Sequence, residues 1–177
     1  MDLQLSGRRC LVTGASAVIG AAIVRVLAAE GAQVVAVARR GDRLEALADE
    51  IAAKVIPNRF PCRAIFTGLM EPLSLNAALA AKGAFNLWEK GLSRDLAAEG
   101  ITINTLTPGR IHSEQVDEKL FTTGPDRDGF AERYIPMKRF GRPEEMANLA
   151  AFMVSPLASY ITGTLIAVDG GMKLAAA

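Results

Sequence analysis

The stretch Thr13-Gly14-Ala15-Ser16-Ala17-Val18-Ile19-Gly20 does most to limit what this chain can fold into. A short apolar run from Arg8 to Val12 stands before it, behind a turn at Gly7. After it, residues 21–30 are Ala-rich with apolar residues at helical spacing, and Gly31 stops them. Residues 32–38 then read as a second strand. Strand, glycine-containing turn, helix and strand make one βαβ unit. Its turn brings backbone N–H groups and a helix N-terminus to the carboxyl end of the first strand, where a phosphate is favoured. A bare turn without a ligand is the competing reading, because one glycine pattern alone is weakly specific.

The 177 residues suit one domain and can bury a sizeable core. Half are hydrophobic and 22% are charged, the balance of a globular protein. Net charge is +1, with no basic tract for nucleic acid and no like-charge block. Charged residues such as Arg25 and Lys82 interrupt the apolar windows too soon for a membrane span. No signal-peptide pattern is present, so a cytoplasmic location is expected. Cys10 and Cys62 make neither a disulfide framework nor a metal site, and the one histidine, His112, excludes a His-based zinc cluster.

Past the first unit, Arg39 and Arg40 follow the second strand, and Leu44, Leu47, Ala48 and Ile51 mark a helix from about Asp42 to Lys54. Residues 55–71 show no clean periodicity beyond one short strand at Ala64–Thr67. Leu75 to Glu99 reads as a long helix with Leu75, Leu79, Phe85, Trp88, Leu92 and Leu96 on its apolar side, stopped by Gly100. An alternating strand, Ile101 to Leu106, leads to Pro108-Gly109-Arg110-Ile111-His112-Ser113. Residues 114–137 are polar and broken by Gly124-Pro125. Arg139-Phe140-Gly141-Arg142-Pro143-Glu144-Glu145 opens a helix to about Val154, with Pro143 at its start and acids in its first turn. A last strand, Thr164 to Val168, ends in Asp169-Gly170-Gly171.

Taken together, these segments resemble the short-chain dehydrogenase/reductase family, in its 3-oxoacyl-acyl-carrier-protein reductase branch. Thr13, Gly14, Ile19 and Gly20 match the family's T-G-x-x-x-G-I-G, with Val18 at the middle glycine. Pro108, Gly109 and Ser113 match P-G-x-x-x-T, and residues 139–145 match R-F-G-x-P-E-E. The resemblance implies an α/β fold: a Rossmann-like, doubly wound, mostly parallel sheet with helices on both faces. It places a dinucleotide on Thr13, Gly14, Ser16, Ile19 and Gly20, with Pro108, Gly109, Ile111 and Ser113 capping the nicotinamide. Where such folds put an acid for the ribose 2′-OH, this chain has Ala38 followed by Arg39 and Arg40, so NADP(H) is favoured over NAD(H). Solvated arginines are the competing reading. Val18 works against the cofactor, since the middle glycine lets backbone approach the pyrophosphate. A β-branched residue is also strained wherever φ must be positive.

The resemblance breaks in the middle. The family places three strands and two helices where only one or two strands fit, and its Asn-Asn-Ala-Gly segment is missing. A block of several dozen residues is absent between about residues 53 and 64; a genuine deletion and an incomplete chain both account for it.

Enzymes of the family move a hydride between a nicotinamide and a carbonyl or alcohol carbon. A Tyr is the general acid/base and a Lys four residues on lowers its pKa. Lys82 stands at the Lys position, where it also reaches the nicotinamide ribose, but Ala78 stands where Tyr belongs. Thr67 is the nearest hydroxyl for the carbonyl-polarising Ser, and the relay Asn has no counterpart. With Asn86 and Glu89, Lys82 also fits an ordinary polar stripe. Tyr134-Ile135-Pro136-Met137-Lys138 matches Y-x-x-x-K literally, but Pro136 breaks the helix that would align the pair. His112 is a weaker alternative acid/base, and Cys62 has no partner. Two functions follow: an NADP(H)-dependent oxidoreductase acting on a small carbonyl or alcohol, or a catalytically silent homologue working through cofactor binding or assembly. The long helix resembles the family's subunit-interface helix, so a homo-oligomer, dimer or tetramer, is expected.

Overall fold

The computed structural model describes residues 1–52, 64–65, 75–112 and 127–172, with side chains for residues 1–51, 83–112 and 129–172. Strand β1 (Arg9–Thr13), helix α1 (Val18–Ala29), strand β2 (Gln33–Val37) and helix α2 (Gly41–Ala52) form the expected first unit. Strand β3 (Ala64–Ile65), helix α3 (Leu75–Leu96) and strands β4 (Thr102–Ile103) and β5 (Thr105–Pro108) follow. Helices α4 (Arg127–Tyr134) and α5 (Pro143–Val154) precede strand β6 (Leu165–Val168). All three strand pairs, β1–β2, β3–β4 and β5–β6, are parallel. The stretch between 53 and 64, where a block was expected to be absent, lies outside the described residues apart from Ala64.

Alternation decides which face of β1 is buried. Cys10 and Val12 point into a core with Val24 and Leu27 of α1, Leu47 of α2 and Ala151 of α5. Six alanines of α1 and α5 (Ala21, Ala22, Ala28, Ala147, Ala150 and Ala151) are buried, and the two helices pack closely along one another. A second, smaller core gathers Ala131, Ile135 and Phe140 around α4.

Two sequence readings need correction. The strand expected over Ile101–Leu106 is interrupted at Asn104 and runs on to Pro108. Asn104 is buried because its side chain completes hydrogen bonds across the sheet. Its Nδ2 donates to the Ile161 carbonyl at 2.9 Å, and its Oδ1 accepts from the Thr164 N–H and hydroxyl at 3.2 and 2.8 Å. One strand thereby pairs with β3 through its first part and with β6 through its second. The apolar side assigned to α3 is also shifted. Trp88 is exposed, while Glu89 and Ser93 are the buried positions, so Glu89 does not belong to a solvated stripe. Glu89 accepts a hydrogen bond from the Thr105 hydroxyl, which lets α3 press a carboxylate against β5. The helix ends at Leu96, and a 3-10 turn, Ala97–Glu99, carries the chain to Gly100.

Helix α5 opens on a charged cap. Arg139 Nη1 and Nη2 donate to Glu145 at 2.8 and 2.6 Å, and the Arg142 backbone N–H donates to the same carboxylate at 2.7 Å. The Arg139 guanidinium first and the Arg142 N–H second hold the Glu145 carboxyl well below its usual value, at about 2. A carboxyl lowered on folding adds stability that is fully present above its unfolded pKa. That contribution is lost as pH falls from about 4.5 toward 2. Glu145→Gln is therefore expected to lower the unfolding midpoint at pH 7 and to flatten the midpoint's fall between pH 5 and 2. Thermal melts across that range check it; parallel curves for the two proteins would contradict it.

Candidate cofactor site

The loop after β1 is built around a backbone contact that no side chain could survive. A Cβ added at Gly20 would stand 2.2 Å from the Gly14 carbonyl oxygen and 2.8 Å from its carbon. Glycine at 20 thus lets the first turn of α1 lie directly on the loop. Gly14 itself has φ +67. Ala15 is fully buried, and its N–H donates to the Val37 carbonyl at 3.2 Å, tying the loop to the end of β2. The loop therefore sits at the carboxyl ends of two parallel strands, the place where doubly wound sheets bind ligands.

Helix α1 starts at Val18 with Ala17 as an extended N-cap residue. No side chain caps it, and its first turn holds no acid. The orphan N–H groups of the first turn and the positive end of the helix dipole remain for an anion. This chemistry fits a dinucleotide pyrophosphate. Val18 fits it less well. Its φ is +40, the left-handed region expected from the sequence, where a β-branched residue is strained by about 1–3 kcal/mol.

Arg39 and Arg40 are both exposed just beyond β2. A groove of about 420 Å³ runs beside the loop, lined by Ser16, Val18, Arg25, Arg43, Glu50 and Glu144 among others. Arg25 and Glu50 close one side through two hydrogen bonds of 2.7 Å. The segment expected to cap the nicotinamide is held from two sides. A Cβ at Gly109 would meet Asp169 Cα at 2.5 Å, and the Gly109 N–H donates to the Val168 carbonyl at 2.9 Å. Ile111 bridges Gly141, and the His112 N–H donates to the Gly141 carbonyl at 2.9 Å. Ile111 is buried, while the His112 ring packs 5.6 Å from the Phe140 ring. His112 also lines a larger hollow of about 510 Å³ with Glu132, Lys138, Arg139 and Phe140.

Ala78 and Lys82 both lie within α3, one turn apart, with side chains outside the described set. Thr67, Cys62 and Ser113 lie outside the described residues. The literal Tyr134–Lys138 match is not a catalytic pair. Helix α4 ends at Tyr134, Lys138 has φ +58, and its ammonium donates to the Glu132 carbonyl instead. Sequence reasoning missed the Glu89–Thr105 contact, the Asn104 bridges and the Arg139–Glu145 cap. Only the last had a visible signal, acids in a helix's first turn after a proline. Among the described residues no group of carboxylates, cysteines and histidine could hold a metal, and no helix could cross a membrane.

The chain resembles known proteins in sequence and in fold. The family profile described as short chain dehydrogenase matches residues 8–65, and that described as Enoyl-(Acyl carrier protein) reductase matches residues 69–173. This chain belongs to the short-chain dehydrogenase/reductase family. It resembles the 3-oxoacyl-[acyl-carrier-protein] reductase FabG of Rickettsia conorii, 36% identical over 129 residues, 71% of this chain and 52% of the relative. It is 38% identical to the uncharacterized oxidoreductase YmfI of Bacillus subtilis over 91 residues, 51% of this chain and 36% of that one. The inactive 2-(S)-hydroxypropyl-CoM dehydrogenase 2 of Xanthobacter autotrophicus is 36% identical over 107 residues, 59% of this chain and 46% of that one. The matched part thus spans about a third to a half of these relatives. Among solved structures, the L-sorbose reductase of Gluconobacter frateurii, complexed with NADPH and L-sorbose, superposes with TM-score 0.81 at 23% identity. The match covers 99% of this chain and 100% of that one. The hydroxysteroid dehydrogenase of Escherichia coli gives 0.82 at 20%, covering 98% and 99%. These likenesses establish the α/β Rossmann fold.

The packing of the loop sets opposite expectations for its two outlying positions. Gly20→Ala forces the Gly14 carbonyl aside and is expected to destabilise by about 1–3 kcal/mol, the range for overpacking. Val18→Gly relieves φ strain that exceeds the added unfolded-state entropy of glycine, about 0.4–1 kcal/mol, and is expected to stabilise by about 1 kcal/mol. Denaturant melts of both variants check the signs.

Proposed function

We propose that this chain is an NADP(H)-binding oxidoreductase of its family, similar to 3-oxoacyl-acyl-carrier-protein reductase, with an impaired proton-transfer step. The observation that supports cofactor binding most is the uncapped α1 N-terminus, seated on the loop by the Gly14–Gly20 contact. In this reading Thr13, Gly14, Ser16, Ile19 and Gly20 hold the pyrophosphate side. Arg39 and Arg40, exposed beyond β2, accept the 2′-phosphate, since paired guanidinium groups suit a dianion. Pro108, Gly109, Ile111 and Ser113 border the nicotinamide, and Lys82 holds its ribose. The bound nicotinamide supplies or accepts the hydride. The residues around it orient a small carbonyl or alcohol substrate, with Thr67 as the hydroxyl donor toward its oxygen. The working state is a cytoplasmic homo-oligomer, a dimer or tetramer.

Ala78 in the tyrosine position carries no proton, so turnover is expected to be slow. Lys82 alone is not expected to replace it, because in the family's scheme the lysine acts through the tyrosine hydroxyl, lowering its pKa. The name of the inactive Xanthobacter relative favours a second reading. In it the chain binds cofactor or partners without catalysis.

Titration with NADPH, followed by cofactor fluorescence, is expected to saturate, and NADH is expected to bind more weakly. Absence of saturable binding at millimolar NADPH overturns the cofactor assignment. Val18→Gly is expected to tighten NADPH binding several-fold, since backbone approaches the pyrophosphate there. Ala78→Tyr tests the missing proton donor. If Lys82 lies where the resemblance puts it, the variant gains at least about 10²-fold in carbonyl reduction, the lower range for general acid catalysis. An unchanged rate with intact NADPH binding favours the silent homologue.

A further inference from the structure

Helices α1 and α2 leave the carboxyl ends of two parallel strands, and the trough between them has a floor of small residues. Val18, Ala21, Ala22 and Arg25 line it from α1, and Arg43, Ala46, Leu47 and Glu50 from α2. Each set is spaced i, i+3, i+4, i+7, so each is one helical stripe. The stripes border a groove of about 420 Å³. Leu44, Leu47 and Ile51 seat α2 on the core. Sideways, toward α1, the alanines at 21, 22 and 46 leave space where larger side chains would interdigitate. Side-chain packing therefore fixes the height of α2 above the sheet more firmly than its angle to α1.

One contact spans the trough. Arg25 Nε and Nη2 donate to the two Glu50 carboxylate oxygens, each at 2.7 Å. Such a two-pronged fork fixes direction as well as distance. Glu144, in the first turn of α5, lines the same trough, and its charge attracts the same guanidinium. At the other end of α2, the Leu44 N–H donates to the Arg40 carbonyl at 3.3 Å. Arg40 thus stands at the N-terminal cap of the helix, with Arg39 just before it. The rise from Glu50 to Arg40 is about 15 Å. A change of angle at Glu50 is carried along the helix to both arginines.

We propose that Arg25 is a positioning residue, whose fork to Glu50 sets the angle of α2 and so holds Arg39 and Arg40 together for a 2′-phosphate. The role rests on reading those two arginines as the 2′-phosphate ligands. Arg25 touches no cofactor in that reading, since it lies two helical turns down α1 from Val18. Its effect falls on the choice between NADPH and NADH, which differ only in that phosphate. An exposed ion pair adds little to stability, so losing the fork alters the angle without unfolding the chain.

Titration of the full chain with NADPH and with NADH, beside thermal melts, tests the role. Arg25→Gln and Glu50→Gln are each expected to weaken NADPH binding about threefold to tenfold and to leave NADH binding within about twofold, because only the 2′-phosphate uses the paired guanidinium groups. The thermal midpoint stays near that of the wild type. The double variant is expected to lose no more than either single one, as for two residues acting through one contact. Circular dichroism checks folding; if R25Q does not fold, E50Q carries the test, its side chain being 52% exposed. An undiminished preference for NADPH in the folded variants overturns the proposal. So does equal weakening of both dinucleotides, which would mark a general loosening, and so do additive losses in the double variant. A wild type that binds neither dinucleotide, or both alike, overturns the 2′-phosphate reading and this proposal together.

Discussion

At the carboxyl end of β1, the backbone of α1 lies on the backbone of the loop that precedes it. The Gly14 carbonyl occupies the space where a side chain at position 20 would be. That approach sets the angle at which α1 leaves the loop. It aims the uncapped first turn of the helix at the carboxyl ends of β1 and β2. The buried Ala15, bonded to Val37, locks the same loop to the second strand. Alanine-lined packing of α1 against α5 then passes this placement to the other half of the chain. There Gly109 rests on Asp169 by a similar absence of side chain. Two close backbone approaches thus hold the two halves of the expected cofactor path.

Val18 shows a local conflict within this arrangement. The loop geometry demands a left-handed residue at the helix start, and the chain supplies a β-branched one. Strain of this kind persists only where the surroundings over-determine the backbone, as the Gly20 contact and the Ala15 bond do here. The site keeps the shape of a dinucleotide loop while carrying a residue that disfavours it. The described elements keep the α/β Rossmann fold, as the superposition on the L-sorbose reductase of Gluconobacter frateurii shows.

The short relatives' coverage and the bare β1–β2 face describe one physical situation. The matched residues amount to a third to a half of the curated relatives, yet the sheet retains the sequence of an interior sheet. Leu11, Val35 and Val37 are suited to burial and meet solvent. A sheet with apolar residues on both faces gains stability from any layer that covers the second face.

Elements governed by local rules could be read from the chain directly. The βαβ unit, the stop of the long helix near Gly100, the helix beginning at Pro143 and the break at Pro136 follow from periodicity, glycine, proline and capping. Each of these acts within a few residues along the chain. The positive φ at Val18 was legible too, because a family spacing marked that position as one for glycine. What only the tertiary structure decided depends on residues far apart in sequence. Asn104 splits its strand because Ile161 and Thr164 stand opposite it. Glu89 is buried because Thr105 meets it, while Trp88 beside it faces outward. Helical spacing alone had put the tryptophan on the inner side, since periodicity identifies an apolar stripe but not the partner it packs against. The loop of residues 13–20 shows both limits at once: its conformation was written in its glycines, but the contact that makes those glycines necessary exists only once the helix lies on the turn.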